Sequence, residues 1–520
     1  MIKNLIGRGG ALFLTAALAA PGFAATPDAA QLFQQHCAAC HGAKRLGGIG
    51  PGLLPENLAR LRRPAAARTI AEGRPATQMP AFAGTLSTPE INALVTLIYT
   101  PPAVQPRWGK KEIDATHRVF FRPGSLPDRP VYRADPLNLF VVVESGDHHV
   151  TILDGDTFTP LARFRSHYAL HGGPKFSPHG RYVYFASRGG WITRYDLYNL
   201  KITAEVRAGI NTRNLAISGD GKYILVGDYL PHNLVLLNAA DLSLIKIIPA
   251  IGENGHSSRV SAVYEAKPRH SFIVALKDVP EIWEISYRAT AAQDKRRRAP
   301  SADAKPTAAR PPVFSIRRIR VHDYLDDFFL GPRYHYFIAT ARNAKEGQVV
   351  DLDSGKVIAH VDLPGMPHLG SAITWKYHGD RVFATPNLEQ GIVSVIDMKT
   401  WKTVKHIKTL GPGFFIRSHQ NTPYAWVDVA FGPDKDAMQV IDKRTLKIVA
   451  TLRPEPGKTT IHTEFTRDGR YALVSVWEKN GAIAVYDAKT LKLVKLIPMS
   501  KPVGKYNVYN KITLSPGTSH

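Results

Sequence analysis

Two regimes of hydrophobic patterning divide the chain near Pro101. Before it, apolar positions recur at helical spacing. In "TPEINALVTLIYTPP", Ile91, Leu94, Val95, Leu97 and Ile98 fall on one helical face. Thr88 or Ser87 can cap that helix, and Pro101-Pro102 stop it. "TPDAAQLFQQHCAACH" reads as a shorter amphipathic helix. After Pro101 the period changes to short runs of valine, isoleucine, tyrosine and phenylalanine, punctuated by Asp-Gly and similar turns. That is the signature of strands.

The strand region repeats. An apolar run, an Asp or Asn, a small turn and a second apolar run recur as "VTILDGDTFTPLARF", "ITRYDLYNLKITAEV", "LVLLNAADLSLIKII", "VVDLDSGKVIAHV", "IVSVIDMKTWKTVKHI", "MQVIDKRTLKIVATL" and "IAVYDAKTLKLVKLI". A weaker copy lies at "EIWEISY" (Glu281 to Tyr287). Most copies follow a second phrase such as "SPHGRYVYFAS", "SGDGKYILVGD" or "TRDGRYALVSV". Each pair supplies about four strands over roughly 40–50 residues, the range of a propeller blade. With the weak copy there are eight. Closing such an array into a ring protects its strand edges. "QDKRRRAPSADAKPTAARPP" (Gln293 to Pro312) breaks the pattern and reads as a basic, flexible insert, either a solvated loop or a contact for an acidic partner.

Composition places the chain. Hydrophobic residues make up 44% and charged residues 21%, which suits a globular protein with a substantial core. The formal charge of +24 calls for an acidic partner, ligand or surface. No basic helix or aromatic-interleaved strand points to nucleic acid. Residues 1–24 read as a secretory signal. Lys3 and Arg8 precede the apolar run Ala11 to Ala20, and Gly22 and Ala24 offer a cleavage site. The run is too short to span a bilayer, so export to a bacterial periplasm without stable membrane insertion is expected.

The only two cysteines stand three apart in Cys37-Ala-Ala-Cys40-His41. An exported pair can form a disulfide, and C-x-x-C also serves redox folds. A histidine directly after the second cysteine is instead the c-type heme pattern. Two thiols form thioethers to the heme vinyl groups, and the adjacent imidazole becomes the proximal iron ligand. Gly47, Gly48, Gly50 and Pro51 form a loop able to pack on a porphyrin. Met79, before Pro80, is the candidate distal ligand, or alternatively core filler. His/Met ligation raises the potential and suits an electron carrier.

Among twenty histidines, His171 in "HYALHGGPKF", His368 in "GMPHLGSA", His419 in "IRSHQNTP" and His462 in "KTTIHTEF" stand at similar places in their repeats. The expectation is that all four gather at one end of the propeller near its axis, where neutral imidazole suits iron ligation or proton transfer.

A c-heme domain followed by an eight-bladed propeller resembles the cytochrome cd1 nitrite reductase family. "NLFVVVESGDHHVTILDGDT", "YALHGGPKFSPHGRY", "PEIWEI", "MPHLGSA" and "VSVWEKNGAIAVYDAKTLKLVK…PVGKYNVYN" carry the likeness over nearly the whole mature chain. The resemblance implies that the propeller binds heme d1, a macrocycle bearing several carboxylates, with His171 as the proximal iron ligand. Arg213 and Arg417 would pair with the carboxylates, a task suited to guanidinium. The reductases carry two distal histidines. His368 matches one, and Asp326 stands in place of the other, with His322 nearby. His462 stands where the reductase pattern has glutamine, and Tyr506 where it has phenylalanine.

These departures look like the sister group, the dihydro-heme d1 dehydrogenases. That group oxidises one propionate of dihydro-heme d1 to an acrylate in the last step of heme d1 biosynthesis for denitrification. The likeness makes His462, Tyr506 and His368 candidates to accept or position protons. Two alternatives are a nitrite reductase with heme d1 as permanent cofactor, and a heme d1 carrier that only passes electrons. Expected partners are dihydro-heme d1, a redox partner for the covalent heme c, and nitrite reductase or other heme d1 assembly proteins. The expected organisation is a signal peptide (1–24), a small all-α cytochrome c domain (26–102), a linker (103–135) and an all-β eight-bladed propeller of the heme d1-binding type (136–512).

Overall fold

The computed structural model describes residues 27–59, 61–74, 79–288, 313–341 and 346–513. The expected signal peptide and the basic insert Gln293 to Pro312 lie outside the described residues. The N-terminal part is helical: α1 (Ala29–His36), α2 (Ala38–His41), α3 (Arg63–Glu72) and α4 (Thr88–Tyr99). Asp28 caps α1, its Oδ1 accepting from the amides of Ala30 and Gln31 at 3.0 and 3.1 Å. Of the two candidate caps for α4, Ser87 is the one used. Glu90 Oε2 accepts from both its amide and its hydroxyl at 2.7 Å. Phe33 of α1 packs on Ile91, Leu94, Val95 and Ile98, the predicted apolar face of α4.

From Phe140 onward the described strands form eight sheets of four, one with an added fifth strand. The last strand, Pro502–Asn507, pairs antiparallel with the first blade's Phe140–Glu144, matching Tyr506 to Val141. The chain therefore closes its own ring. Adjacent blades stack through apolar faces, as where Phe140 and Val142 of the first meet Leu473, Ile483 and Val485 of the eighth. Each such fully buried side chain contributes about 1.5–3 kcal/mol.

The recurring Asp phrase has a structural cause. The carbonyls of Asp154, Asn238, Asp351, Asp397, Asp442 and Asp487 each accept from the amide four residues on, at 2.8–2.9 Å. Those acceptor-bound residues, Phe158, Leu242, Gly355, Trp401, Leu446 and Leu491, all have φ between 53 and 70°. Five of the six are not glycine, and burying the apolar side chain, as at Leu242 and Leu446, offsets the strain. The carboxylate supports the same turn: Asp487 Oδ1 accepts from the amides of Lys489 and Thr490.

Residues 103–135 are not a free tether. They form α5 (Lys110–Thr116) and the short strand Arg118–Val119, which pairs with Glu205 and Ala204 at the outer edge of the second blade. Ile113 of α5 is fully buried in the core between the second and third blades. A final helix, α6 (Val508–Thr513), follows the closing strand.

Candidate functional site

In the helical domain, α1 and α2 deliver Cys37, Cys40 and His41 together. Neither thiol is in a disulfide. Burial, and then Cys40, push the Cys37 thiol up to about 11. His41 donates from Nδ1 to the carbonyl of Pro51 at 2.8 Å, which leaves the Nε2 lone pair for a ligand. Burial keeps its imidazole neutral by lowering its pKa. A Cβ at Gly50 would stand 3.0 Å from His41 Cε1, so the loop passes close against the ring there. Two thiols three residues apart beside a bonded, neutral imidazole fit a covalent c-type heme. Met79 packs against the core of the same domain.

In the propeller, the inner strands and their connecting loops enclose a cavity of about 380 Å³. It is lined by His171, Arg213, His368, Arg417 and Tyr506 from the sequence-predicted set, and by Asp326. His171 sits in the loop before the strand Lys175–Phe176. Its amide donates to the carbonyl of Ala186, and its Nδ1 donates to the carbonyl of Arg213, both at 2.8 Å. Arg188 Nη2 donates to its Nε2 at 3.0 Å. Burial, Arg188 and Arg213 hold the His171 pKa well below its ordinary value, so the imidazole is neutral. Gly172 follows at φ +80°, and a Cβ there would stand 2.5 Å from Asn214 Cβ.

His368 donates from Nδ1 to the carbonyl of Phe414 at 2.5 Å and packs edgewise on Phe415. Burial outweighs Asp327 and lowers its pKa. Arg213 donates from Nε to the carbonyl of Ser261 at 2.8 Å. Arg417 donates to the carbonyls of Ser371 and Ile416, while its buried Nε has no hydrogen-bond partner among the described residues. That orphaned donor in a cationic cavity fits an anionic ligand. Burial pushes the Tyr506 hydroxyl up to about 12, so it stays protonated. Asp326 pairs with Lys277.

Two of the four histidines depart from the expectation of one shared cluster. His419 does not line the cavity. It follows the strand Ile416–Ser418 at the blade's turn, where its Nδ1 accepts from the Asn421 amide at 3.2 Å and its ring faces Phe465. His462 stands one layer behind the wall, its ring 4.7 Å from Phe415 and 5.3 Å from Tyr506. A register shift between Ile461 and Thr463 and a φ of +50° at His462 turn it out of the strand's alternation. It is fully buried, and its Nε2 has no hydrogen-bond partner among the described residues. Burial and Lys505 hold its pKa well below the ordinary value. His322 is exposed and outside the cavity.

The cavity also holds groups that the sequence pattern did not single out: Arg188, Tyr229, Tyr264 and Asp327. Asp327 accepts from the Gly370 amide at 2.8 Å, with its other oxygen unpartnered among the described residues. Tyr264 lies in "AVYEA", an unbroken alternation with nothing to mark it. Arg188, a lone cation in the glycine turn of "FASRGG", was the one legible signal.

Residues 134–306 and 307–511 match the Cytochrome D1 heme domain, and residues 24–98 match the family described as Cytochrome C oxidase, cbb3-type, subunit III. A dihydro-heme d1 dehydrogenase of Pseudomonas aeruginosa is 58% identical over 94% of this chain and 95% of its own. A nitrite reductase of Stutzerimonas stutzeri is 25% identical over 92% of both chains. A solved structure of a dihydro-heme d1 dehydrogenase, NirN, in complex with DHE superposes with a TM-score of 0.84 at 57% identity. It covers 93% of this chain and 99% of that one.

Proposed function

The chain belongs to the Cytochrome D1 heme domain family, and on that premise we propose that it is an oxidoreductase that converts dihydro-heme d1 to heme d1. One propionate side chain becomes an acrylate, with loss of two electrons and two protons. The observation that carries this reading is the 58% identity to a dihydro-heme d1 dehydrogenase, which extends over both the c-heme domain and the propeller. The protein thus carries a covalent heme c on Cys37 and Cys40 and binds a d1-type macrocycle as substrate and product. The covalent heme supplies a one-electron acceptor.

The chain's own residues supply the rest. In this reading the Nε2 of His171 holds the substrate iron, and Arg188, which donates to that atom, withdraws to admit it. Arg213 and Arg417 meet substrate carboxylates, a role supported by the unpartnered Nε of Arg417. His368, neutral and with Nδ1 engaged, presents its Nε2 as a proton acceptor. Tyr506 is kept protonated by burial, so it positions by donating a hydrogen bond rather than acting as a base. His462 is the second acceptor or a distal iron ligand, and reaches the cavity when Phe415 or Tyr506 turns aside. His41 and Met79 would hold the iron of the covalent heme. No helix among the described residues is long and apolar enough to cross a membrane. A periplasmic location fits the leader pattern of residues 1–24, and exchange with nitrite reductase and other heme d1 assembly proteins follows from the product.

The test is incubation of the purified holoprotein with dihydro-heme d1, followed by mass analysis of the extracted macrocycle. Loss of two hydrogens is the expected result. Recovery of unchanged substrate together with oxidised c-heme points to a carrier and overturns the reading, as does rapid reduction of nitrite to nitric oxide.

A further inference from the structure

Arg207 ends the strand Lys201–Arg207 of the second blade and lies where the c-heme domain meets the propeller. It is 7% exposed. Its Nη2 donates to the carbonyl of Leu46 at 2.5 Å, and its Nε donates to the carbonyl of Gly189 at 2.8 Å. The guanidinium stacks 4.5 Å over Trp108, whose Nε1 donates back to the Arg207 carbonyl at 3.0 Å. One side chain therefore joins the helical domain, the segment between the domains and the propeller.

Each of its two acceptors leads to an iron-ligand loop. The Leu46 carbonyl belongs to the same peptide group as the Gly47 amide, and that amide donates to the carbonyl of His41 at 2.8 Å. On the other side, Gly189 lies in the turn that braces the His171 loop. His171 donates its amide to the carbonyl of Ala186, and Arg188 donates its amide to the carbonyl of Ala169, at 2.8 and 2.9 Å. Through Arg207, hydrogen bonds and the short backbone segments between them connect the loop after His41 to the turn that braces His171.

Among the described residues the charge of Arg207 is met by carbonyl oxygens alone. Both side-chain acceptors are carbonyls, and no carboxylate lies within ion-pair distance of it among the described residues. Burial lowers its pKa only to about 10, so it remains a cation at neutral pH. A buried cation without a counter-ion is costly to the fold. The same low-dielectric setting makes its field strong at nearby groups. A positive charge near a heme would favour its reduced iron, and the loop that Arg207 bonds at Leu46 is the one that follows Cys37, Cys40 and His41.

Resting on the function proposed above, we propose that Arg207 is a positioning residue for electron removal from the substrate. It holds the c-heme loop at a set distance from the substrate site and biases that heme toward accepting an electron. The balance is simple. The saturated side chain loses two electrons and two protons. Each electron reduces ferric c-heme to ferrous, and an external one-electron acceptor re-oxidises the heme between the two transfers. Arg207 exchanges neither proton nor electron.

The test compares Arg207→Met and Arg207→Lys holoproteins with wild type. Methionine keeps the stem under Trp108 but removes the charge and both bonds. Lysine keeps the charge, but one ammonium cannot reproduce the two-pronged geometry. The c-heme midpoint potential, read without substrate, is expected to fall in Arg207→Met and to stay near wild type in Arg207→Lys. Single-turnover reduction of the c-heme by dihydro-heme d1 is expected to slow about tenfold or more in both, with substrate affinity unchanged. A wild-type potential and rate in Arg207→Met would overturn the proposal. If the methionine variant does not fold, a wild-type transfer rate in Arg207→Lys does the same. Because the potential needs no substrate, a shifted potential in a protein that fails to dehydrogenate would sink the functional reading alone.

Discussion

His171 donates from Nδ1 to the carbonyl oxygen of Arg213 at 2.8 Å. A carbonyl only accepts and a guanidinium only donates, so this bond and that from Arg188 Nη2 to Nε2 at 3.0 Å favour the proton on Nδ1 and the lone pair on Nε2, the atom an iron needs, with Arg213 Nη1 also 3.1 Å from Nδ1. His41 has the same relation to Pro51 and His368 to Phe414. Three imidazoles are thus held in one tautomer by backbone carbonyls. Burial keeps each neutral, so a ligand meets no proton to displace.

His171→Ala is expected to weaken binding of dihydro-heme d1 by about a hundredfold or more, the upper end of ligand-shell losses. The c-heme spectrum should stay intact, since that domain has its own core. Absorption titration checks both. Binding at wild-type strength would remove His171 from the iron.

Tyr506→Phe keeps the ring that Gly173 and Gly504 pack against but removes the hydroxyl. Loss of that positioning hydrogen bond should slow conversion by about tenfold, with affinity within a few-fold of wild type. His462→Gln should behave alike if His462 takes a proton. Binding and single-turnover rates measured together separate the roles. Unchanged turnover in both variants would leave these residues as wall packing only.

Met79→Ala is expected to lower the c-heme midpoint potential and to abolish the spectral signature of thioether ligation. A potentiometric titration followed by absorption reads both. An unaltered spectrum would show that Met79 only fills the core beside Phe82 and Leu97.

Asp228 gives a pH dependence. It is fully buried, and burial pushes its carboxyl up to about 8 against the opposing bond from Thr212. The folded chain therefore holds a proton between about pH 4 and pH 8 that the unfolded chain has already released. Stability is linked to that difference and falls as pH rises through this window. Asp228→Asn has no such proton, so its Tm should vary less between pH 4 and pH 8. Parallel Tm–pH curves for the two proteins would contradict the assignment.

The c-heme motif and the blade repeat were legible because their causes are local. Cys37, Cys40 and His41 are brought together by two adjoining helices, and each Asp phrase is a turn bonded within five residues. Family likeness then carried His171, Arg213, His368, Arg417 and Tyr506 to the cavity that the structure shows. What it could not decide is direction near the axis. Inner strands carry register shifts, at Leu325/Asp327 and at Ile461/Thr463, and each breaks the alternation by which a strand pattern assigns faces. His462 therefore lies behind Phe415, and His419 lies away at a turn, although both occupied similar places in the repeat. The bonds from Arg207 to Leu46, and from Lys277 to Asp326, join residues far apart in the chain. Sequence alone determined which blades and which heme signature this protein has. Only the closed ring, by packing distant loops around one axis, decided which side chains share a site.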